Sequence, residues 1–531
     1  MSFDYGELRT KAEAIVQIPE HYRLEMEANT RDEQERSFIW EDPGNDDCRI
    51  EITLDIETGQ LISLDIDMEA KDSVGQDSSA EEARVITEAF LRKHAPDYGA
   101  FTWVNSEEKR NLRFITYREE VGRLPLPDTG CKITLDSKLN VIRYRLERSG
   151  QEAAPKPEWP GIIVDVESVR QDVLKTMRME LTIVILYPSM YEMEGTEPEY
   201  RLVYEPIPGH RSIDAVTGLD LFGLEHYKMP PSHPIAPREA ERVSGLDETQ
   251  TFGESLRFGK QLKLDDLPSG SNKDIAALEM QLGIDPELYV LEKLKDDGER
   301  IKMLYKFRAE AEEPEPEALS VDAYMKRKWG DPLRNLEASF MIQIEKSTGH
   351  LVGFRRNERR KDAEPSLTRK QCWEKAEKFL QQVFPDYTSY LQIEADQEDT
   401  DRQPRERELF YLPVYIRNIP VNHERVMVSV STSTGKICVY MGVSYEMIRE
   451  LEERDFSYPA LTAEKAFDLY GEYVRFRLRW IKDLEDENLP VYRLLYEPTT
   501  TRRDRFPRDA GHNQRLRYID ACNGEPIWER I

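Results

Sequence analysis

Between Ile50 and Glu57 apolar and polar residues alternate strictly, Ile50, Ile52, Leu54 and Ile56 against Glu51, Thr53, Asp55 and Glu57. A period of two marks a strand with one buried face. Thr58-Gly59 follows, and glycine there tolerates the positive φ that a tight hairpin needs. Val426, Val428 and Val430 repeat the alternation ahead of Thr434-Gly435. The same strand–turn–strand signal recurs over Ile50–Asp67, Lys132–Leu146, Arg211–Phe222, Phe340–Arg356, Val426–Met441 and Leu516–Trp528.

Ahead of most of these hairpins the period changes to that of a helix. Ser79 with Glu82, and Thr368 with Gln371, read as capping boxes. Ala83, Ile86 and Phe90 then follow helical spacing, as do Trp373, Ala376, Phe379 and Leu380. Val166, Val169, Val173 and Met177 form a third stripe, and Ala463, Ala466 and Tyr470 a fourth. Each unit is expected to be one helix and an antiparallel strand meander, of roughly 60 to 90 residues.

The units belong to a longer duplication. Tyr200-Arg201-Leu202-Val203-Tyr204-Glu205-Pro206 returns 292 residues later as Tyr492-Arg493-Leu494-Leu495-Tyr496-Glu497-Pro498. Ile213 to Gly218 returns as Ile519 to Gly524, Pro96-Asp97-Tyr98 as Pro385-Asp386-Tyr387, and Thr58-Gly59 as Thr348-Gly349. Leu124-Pro125-Leu126 returns as Ile419-Pro420-Val421, and each proline stands 15 residues before a hairpin position, Asn140 or Gly435. Near the starts, Ile18-Pro19-Glu20-His21-Tyr22 echoes Asp285-Pro286-Glu287-Leu288-Tyr289 at a shift of 267, so the second half carries an insertion in the charged 310–333 region. Echoes in one constant order indicate an internal repeat.

The expected division is a first half over 1–222, with units at about 8–67, 78–148 and 160–222, and a linker over 223–273. A second half over 274–531 carries units at about 274–356, 366–444 and 460–531. Met229-Pro230-Pro231-Ser232-His233-Pro234 and Pro268-Ser269-Gly270-Ser271-Asn272 read as linker.

Composition narrows the function. At 531 residues the chain exceeds one core, and 39% hydrophobic residues exclude global disorder. The net charge of −28 repels phosphate backbones and anionic lipid, which argues against nucleic acid as partner. No stretch long enough to span a bilayer is free of charges, and no secretory signal is visible at Met1 to Glu7. Cys48, Cys131, Cys372, Cys438 and Cys522 are scattered without a CxxC pair, fitting reduced thiols and a cytoplasmic location.

Candidate chemistry is sparse. Asp128-Thr129-Gly130 matches the aspartic-peptidase triplet, which requires a second carboxylate. No second triplet occurs, the duplicated segment is Asn422-His423-Glu424, and a turn is expected. Glu394 to Asp401 could offer oxygens to calcium but lacks the EF-hand glycine and terminal glutamate, so a solvated loop is expected. Histidines 21, 94, 210, 226, 233, 350, 423 and 512 show no metal-ligand spacing. Cys372 lies on a predicted helix face and reads as core. The basic run Arg355-Arg356-Asn357-Glu358-Arg359-Arg360-Lys361 reads as a charged linker, with an anion patch as the alternative. No GxSxG, P-loop or GxGxxG is present, and no catalytic residue, cofactor or metal site is assigned.

Phe114-Ile115-Thr116-Tyr117-Arg118, Gly122, Leu124-Pro125-Leu126 and the stretch Lys132 to Tyr144 together resemble the YcdB/YcdC repeat of spore-forming bacteria. Tyr411 to Tyr440, with Asn418-Ile419-Pro420-Val421 and Thr434-Gly435-Lys436, resembles it more closely. The resemblance covers about 78–148 and 366–444; Asn140 departs from the usual glycine, and the third and sixth units keep only the hairpin. That family is similar to PepSY domains, in which a small antiparallel sheet wraps one helix in a cystatin-like way. The resemblance implies an α+β tandem array of PepSY/cystatin-like units, acting by binding and in some cases restraining a peptidase. The expected function is a non-enzymatic protein- or peptide-binding module. A spacer role and an enzyme with a site between the halves are the alternatives.

Overall fold

The computed structural model describes residues 4–30, 34–67, 79–95, 97–109, 111–147, 155–209, 211–222, 231–236, 279, 282–308, 319–329, 339–357, 365–395, 405–454, 456, 458–483, 491–500 and 514–530. The fold is α+β, with mostly antiparallel sheets and few helices.

Helix α1 (Tyr5–Glu13) precedes a meander of β1 (Arg23–Thr30), β2 (Glu35–Asp42), β3 (Asn45–Asp55) and β4 (Leu61–Asp67). Helix α2 (Ala80–His94) then leads to β5 (Trp103–Lys109), β6 (Leu112–Arg118), the short pair β7 (Glu120–Val121) and β8 (Leu124–Pro125), β9 (Cys131–Leu135) and β10 (Val141–Leu146). Pairing of β4 with β10 merges both meanders into one eight-stranded antiparallel sheet, β1-β2-β3-β4-β10-β9-β6-β5. Its core gathers Leu8, Phe38, Ile50, Ile52, Leu54, Ala83, Leu91, Ile133 and Tyr144; Ile50, Ile52, Leu54 and Ala83 are positions of the two periodicities, while Ile56, Ile86 and Phe90 pack against it partly buried. The Ser79–Glu82 capping box is formed, as is Thr368–Gln371 on the later helix.

The third unit runs through α3 (Val166–Thr176), β11 (Arg178–Leu186), β12 (Glu199–Ile207) and β13 (Ile213–Asp214). Strand β14 (Ser232–Pro234) follows, inside the stretch expected as linker; the remainder of that stretch, apart from Pro231, Ile235 and Ala236, lies outside the described residues. The second half opens with β15 (Tyr289–Asp296), β16 (Arg300–Phe307), α4 (Val321–Trp329), β17 (Ser339–Glu345) and β18 (Leu351–Asn357). Next come α5 (Arg369–Val383), α6 (Tyr387–Tyr390), β19 (Gln392–Glu394), β20 (Arg407–Ile416), β21 (Ile419–Ser431) and β22 (Ile437–Met441). The chain closes with α7 (Tyr445–Glu453), α8 (Ala463–Gly471), β23 (Arg475–Asp483), β24 (Val491–Thr499), β25 (Gln514–Asp520) and β26 (Pro526–Arg530).

The order β15-β16-β17-β18-β22-β21, with β20 beside β21, repeats that of the first sheet, so the duplication is visible in topology as well as sequence. The hairpin turns share a cause. Asp55, Asp214 and Asp520 each accept two backbone N–H bonds from the residues two and three positions on, and Gly59, Gly218 and Gly524 take positive φ. Where Asn140 replaces the glycine, the left-handed residue moves one position back, to Leu139 at φ 64°.

The inserted segment of the second half supplies α4, which leans on the first half. Leu319 accepts a bond from Glu27 N (3.0 Å), and Tyr324 packs with Met26 and Ile39. Tyr324 and Lys328 both reach the Glu41 carboxylate at 2.6 Å. The free side of β1 is thereby partly covered.

The third and sixth units exchange strands. Hairpin β11–β12 lies between β21 and β25, both from the second half. Conversely, β24 of the hairpin β23–β24 pairs with β13 of the first half. Two crossed backbone bonds mark the exchange at equivalent positions: Ala215 N donates to Leu494 O, and Ala521 N to Leu202 O (2.8 and 3.0 Å). Two crossed hydroxyl bonds repeat it, Tyr496 to Val164 O and Tyr204 to Leu461 O (2.8 and 2.9 Å). Helix α8 packs on β11 and β12, as well as on β25 of its own half, and α3 packs on β23. Each helix thus covers the hairpin of the other half. The connections explain why. Only Met177 separates α3 from β11, and one residue spans at most about 3.6 Å, too little to fold a helix back across the strand that follows it.

Candidate functional site

The exchange brings polar side chains from three units together on the sheet face opposite α8. Glu205 on β12 receives Arg517 of β25 at 2.7 Å and the Asn422 amide of β21 at 3.0 Å. Asn422 also reaches the Tyr518 hydroxyl at 3.3 Å, and the Tyr518 ring lies 6.1 Å from that of Tyr191. Beneath it a small apolar cluster joins Val184, Leu186, Tyr191 and Val203 of the first half to Tyr518 and Ile527 of the second. Burial pushes the Glu205 carboxyl above the usual carboxylate range, and the Arg517 guanidinium, His423 and Asn422 only partly offset it. Burial likewise raises the phenols of Tyr518 and Tyr191. Both Glu205 oxygens are engaged, so the cluster is built as an ion-pair clasp across the exchanged strands.

A second polar place lies where the helix-to-strand connections pass one another. Glu167, Arg170, Glu472 and Arg475 line an open cleft of about 520 Å³. Arg170 donates to Gly471 O (2.9 Å) and Val474 O (3.2 Å), and Arg475 to Glu472 O and Val474 O (2.8 and 2.9 Å). These guanidinium groups hold backbone carbonyls of the crossing chain.

The residues singled out in the sequence do not converge on either place. Asp128 is an exposed turn residue at φ 54°, while Thr129 donates to Leu126 O and accepts from Glu119 N. In the second half the expected turn is not formed: Asn422, His423 and Glu424 lie within β21, where His423 takes φ 64° beside a break in the β20–β21 register between Pro413 and Tyr415. Each of these segments docks on the exchanged hairpin of the other half. Val121 O and Pro127 O accept from Trp480 and Tyr492, as Pro420 O accepts from Thr182. Cys372 is fully buried in the core. In the basic run, Arg356 is buried between Phe340 and Phe354 and donates to Leu282 O, which takes it out of any anion patch; 358–361 lie outside the described residues.

Of the acidic run only Glu394 and Ala395 are described. No group of three metal-ligating side chains occurs among the described residues. His350 is buried and stacks on Tyr445 at 3.5 Å, and burial lowers His94 to about 4. His21 lies 3.4 Å from Asp42 and His233 sits in β14; His210, His226 and His512 fall outside the described residues. The Glu205 clasp escaped the sequence reading because its members lie up to 312 residues apart. The repeated Tyr-Arg-Leu-x-Tyr-Glu-Pro signal did include Glu205.

Both large sheets end in edges that no described strand covers. No described strand pairs with the outer side of β5 or of β15. Val104 is exposed on the first, and Val290 and Leu291 on the second.

Residues 5–148 and 310–444 match the family described as the YcdB, YcdC repeated domain, and together they make up more than half of the chain. The chain belongs to the YcdB/YcdC repeat family. The first stretch spans α1 to β10, both meanders of the first sheet, whereas the second begins after β16 and covers α4 to β22. Two proteins of Bacillus subtilis (strain 168) are similar along nearly the whole length. Uncharacterized protein YcdB is 26% identical over 535 residues, 98% of this chain and 97% of that one. Uncharacterized protein YcdC is 23% identical over 508 residues, 93% of this chain and 96% of that one. Among solved structures the Bacillus megaterium YpeB C-terminal domain aligns at 13% identity, over 41% of this chain and 96% of that one. Its TM-score of 0.26 is too low to carry an argument. No helix among the described residues is long and apolar enough to cross a membrane.

Proposed function

We propose that this YcdB/YcdC repeat protein is a non-enzymatic binding protein of PepSY-like type, which engages a protein or peptide partner, a peptidase among the candidates. The observation that carries the reading is the pair of sheet edges, β5 and β15, each with exposed aliphatic side chains and an outer side on which no described strand pairs. Such edges accept an extended segment by strand addition. The clasp and the cleft favour the same reading, since their charged groups are committed to one another and to backbone carbonyls. Free, mostly buried cysteines fit a cytoplasmic setting.

Affinity capture from lysate of the source organism tests the proposal, comparing the tagged full chain with a variant carrying Val104→Lys and Val290→Lys. A partner enriched by the first and lost from the second is the expected result. No enrichment, or equal enrichment by both, overturns it.

A further inference from the structure

The duplication shows what an occupied edge of this kind looks like. Strand β5 and strand β19 are equivalents, as Pro96-Asp97-Tyr98 and Pro385-Asp386-Tyr387 stand at corresponding places before them. Trp103, Val104 and Asn105 correspond to Gln392, Ile393 and Glu394 at the same shift of 289. On the inner side Trp103 faces Arg118 on β6, and Leu391, one residue before the counterpart of Trp103, bridges Val414 on β20. On the outer side the two differ. Strand β19 is covered by β14, with Ser232, His233 and Pro234 facing Glu394, Ile393 and Gln392. The segment is clamped by Ala395 N to Pro231 O (2.6 Å) and by Ser232 to Gln392 and Tyr415 (both 2.9 Å), and Ile235 is buried in the core. The outer side of β5 has no described strand upon it.

Resting on the binding reading above, we infer that the outer edge of β5 is the binding site, and that its ligand is an extended partner segment built like β14, an aliphatic residue followed by proline. The differences between the two edges set that chemistry. Ile393 packs against the core beneath β14, whereas its counterpart Val104 is 38% exposed. Val104 nevertheless faces the core side, because its cross-strand partner Tyr117 is 3% exposed. An added strand with an aliphatic residue opposite Val104 buries both side chains, where β14 has His233 opposite Ile393. The next ligand position, occupied by Pro234 in β14, falls opposite Trp103, a half-buried indole able to pack on a proline ring. Proline is compatible with a strand that is itself the new edge. The other open edge fits this role less well. Lys293 and Lys295 stand within β15, whereas the single lysine of β5, Lys109, is at its far end, beyond Trp103 to Asn105, and edge lysines discourage strand addition.

The test uses the full chain and a fluorescent peptide with the sequence of residues 229–237 carrying His233→Ile, titrated by anisotropy and mapped by hydrogen exchange. The peptide is expected to bind saturably at one equivalent and to protect amides of residues 103–109. Val104→Lys, at an exposed position that folding tolerates, is expected to weaken binding about tenfold or more by charging the edge. A peptide N-methylated at alternate amides is expected to lose binding in the unaltered protein, because strand addition is made by backbone hydrogen bonds. Absence of saturable binding, protection confined to residues 392–394, or indifference to both Val104→Lys and N-methylation overturns the inference. A lysate partner captured equally by the protein and by Val104→Lys, but lost when Val290→Lys is added, overturns this site while leaving the binding function standing.

Discussion

Leu202 and Leu494 occupy equivalent places in the repeat, each almost fully buried, one on β12 and the other on β24. The strand exchange makes a counter-intuitive prediction about them. Leu202 belongs to the first half, yet the helix lying on its hairpin is α8 of the second. Leu202→Ala removes buried methyl groups and leaves a cavity, at a cost of about 3 kcal/mol within the usual 2–5 range. If the loss is felt locally, protection of α8 amides (463–471) should fall by about a hundredfold, since each 1.4 kcal/mol is a factor of ten. Helix α3 (166–176), adjacent in sequence, should change little. Leu494→Ala should do the reverse, loosening α3 and sparing α8. Native-state hydrogen exchange read by mass spectrometry on the full chain measures both. Loss of protection at 166–176 in Leu202→Ala, with 463–471 unaffected, would refute the exchange and assign each helix to its own half.

Three further outcomes are expected. Gly130→Ala places a Cβ 1.9 Å from Tyr117 O at φ +79°, so urea unfolding should show a loss of more than about 2 kcal/mol; Gly99→Ala, with open space around it, should be near neutral. Tyr204→Phe and Tyr496→Phe each remove one crossed hydroxyl bond and should cost about 1 kcal/mol apiece, additively, in the same assay. His94 is held neutral in the fold, its value lowered from 6.5 to about 4 chiefly by burial, with Lys93 adding to it. Its contribution is therefore complete above pH 6.5 and is lost as pH falls from 6.5 towards 4; partial exposure limits it to about 1 kcal/mol, and His94→Leu should flatten thermal stability across that window.

Much of the local structure was legible in the sequence because short-range physics writes it there. The capping boxes at Ser79 and Thr368 and the alternation from Ile50 to Ile56 became the elements they predicted. The aspartate–glycine turns followed from side chains bonding their own backbone. Asp128 proved to be a turn residue and Cys372 core, as expected. Arg356 is the counter-example. Its charge reads as surface, but Phe340, Phe354 and Leu282 O lie around it, and no neighbour in sequence reveals them all. The candidate binding edge was legible only in kind. The meander implied edges, yet nothing in the string 231–236 marked it as the strand that closes β19.

By itself the sequence determined the repeat, the helix-plus-meander unit and the turn chemistry, because each depends on residues within one element or its immediate neighbours. Which hairpin joins which half was decided by tertiary structure alone. Tyr200 to Pro206 and Tyr492 to Pro498 are nearly identical, so either could fill either slot with almost the same contacts and almost the same energy. The choice fell to connection geometry at α3, where Met177 alone leads into β11 and leaves too little chain for the helix to turn back over its own strand. Each hairpin therefore continues into the opposite half, where α8 or α3, the crossed tyrosines and the Glu205–Arg517 clasp receive it.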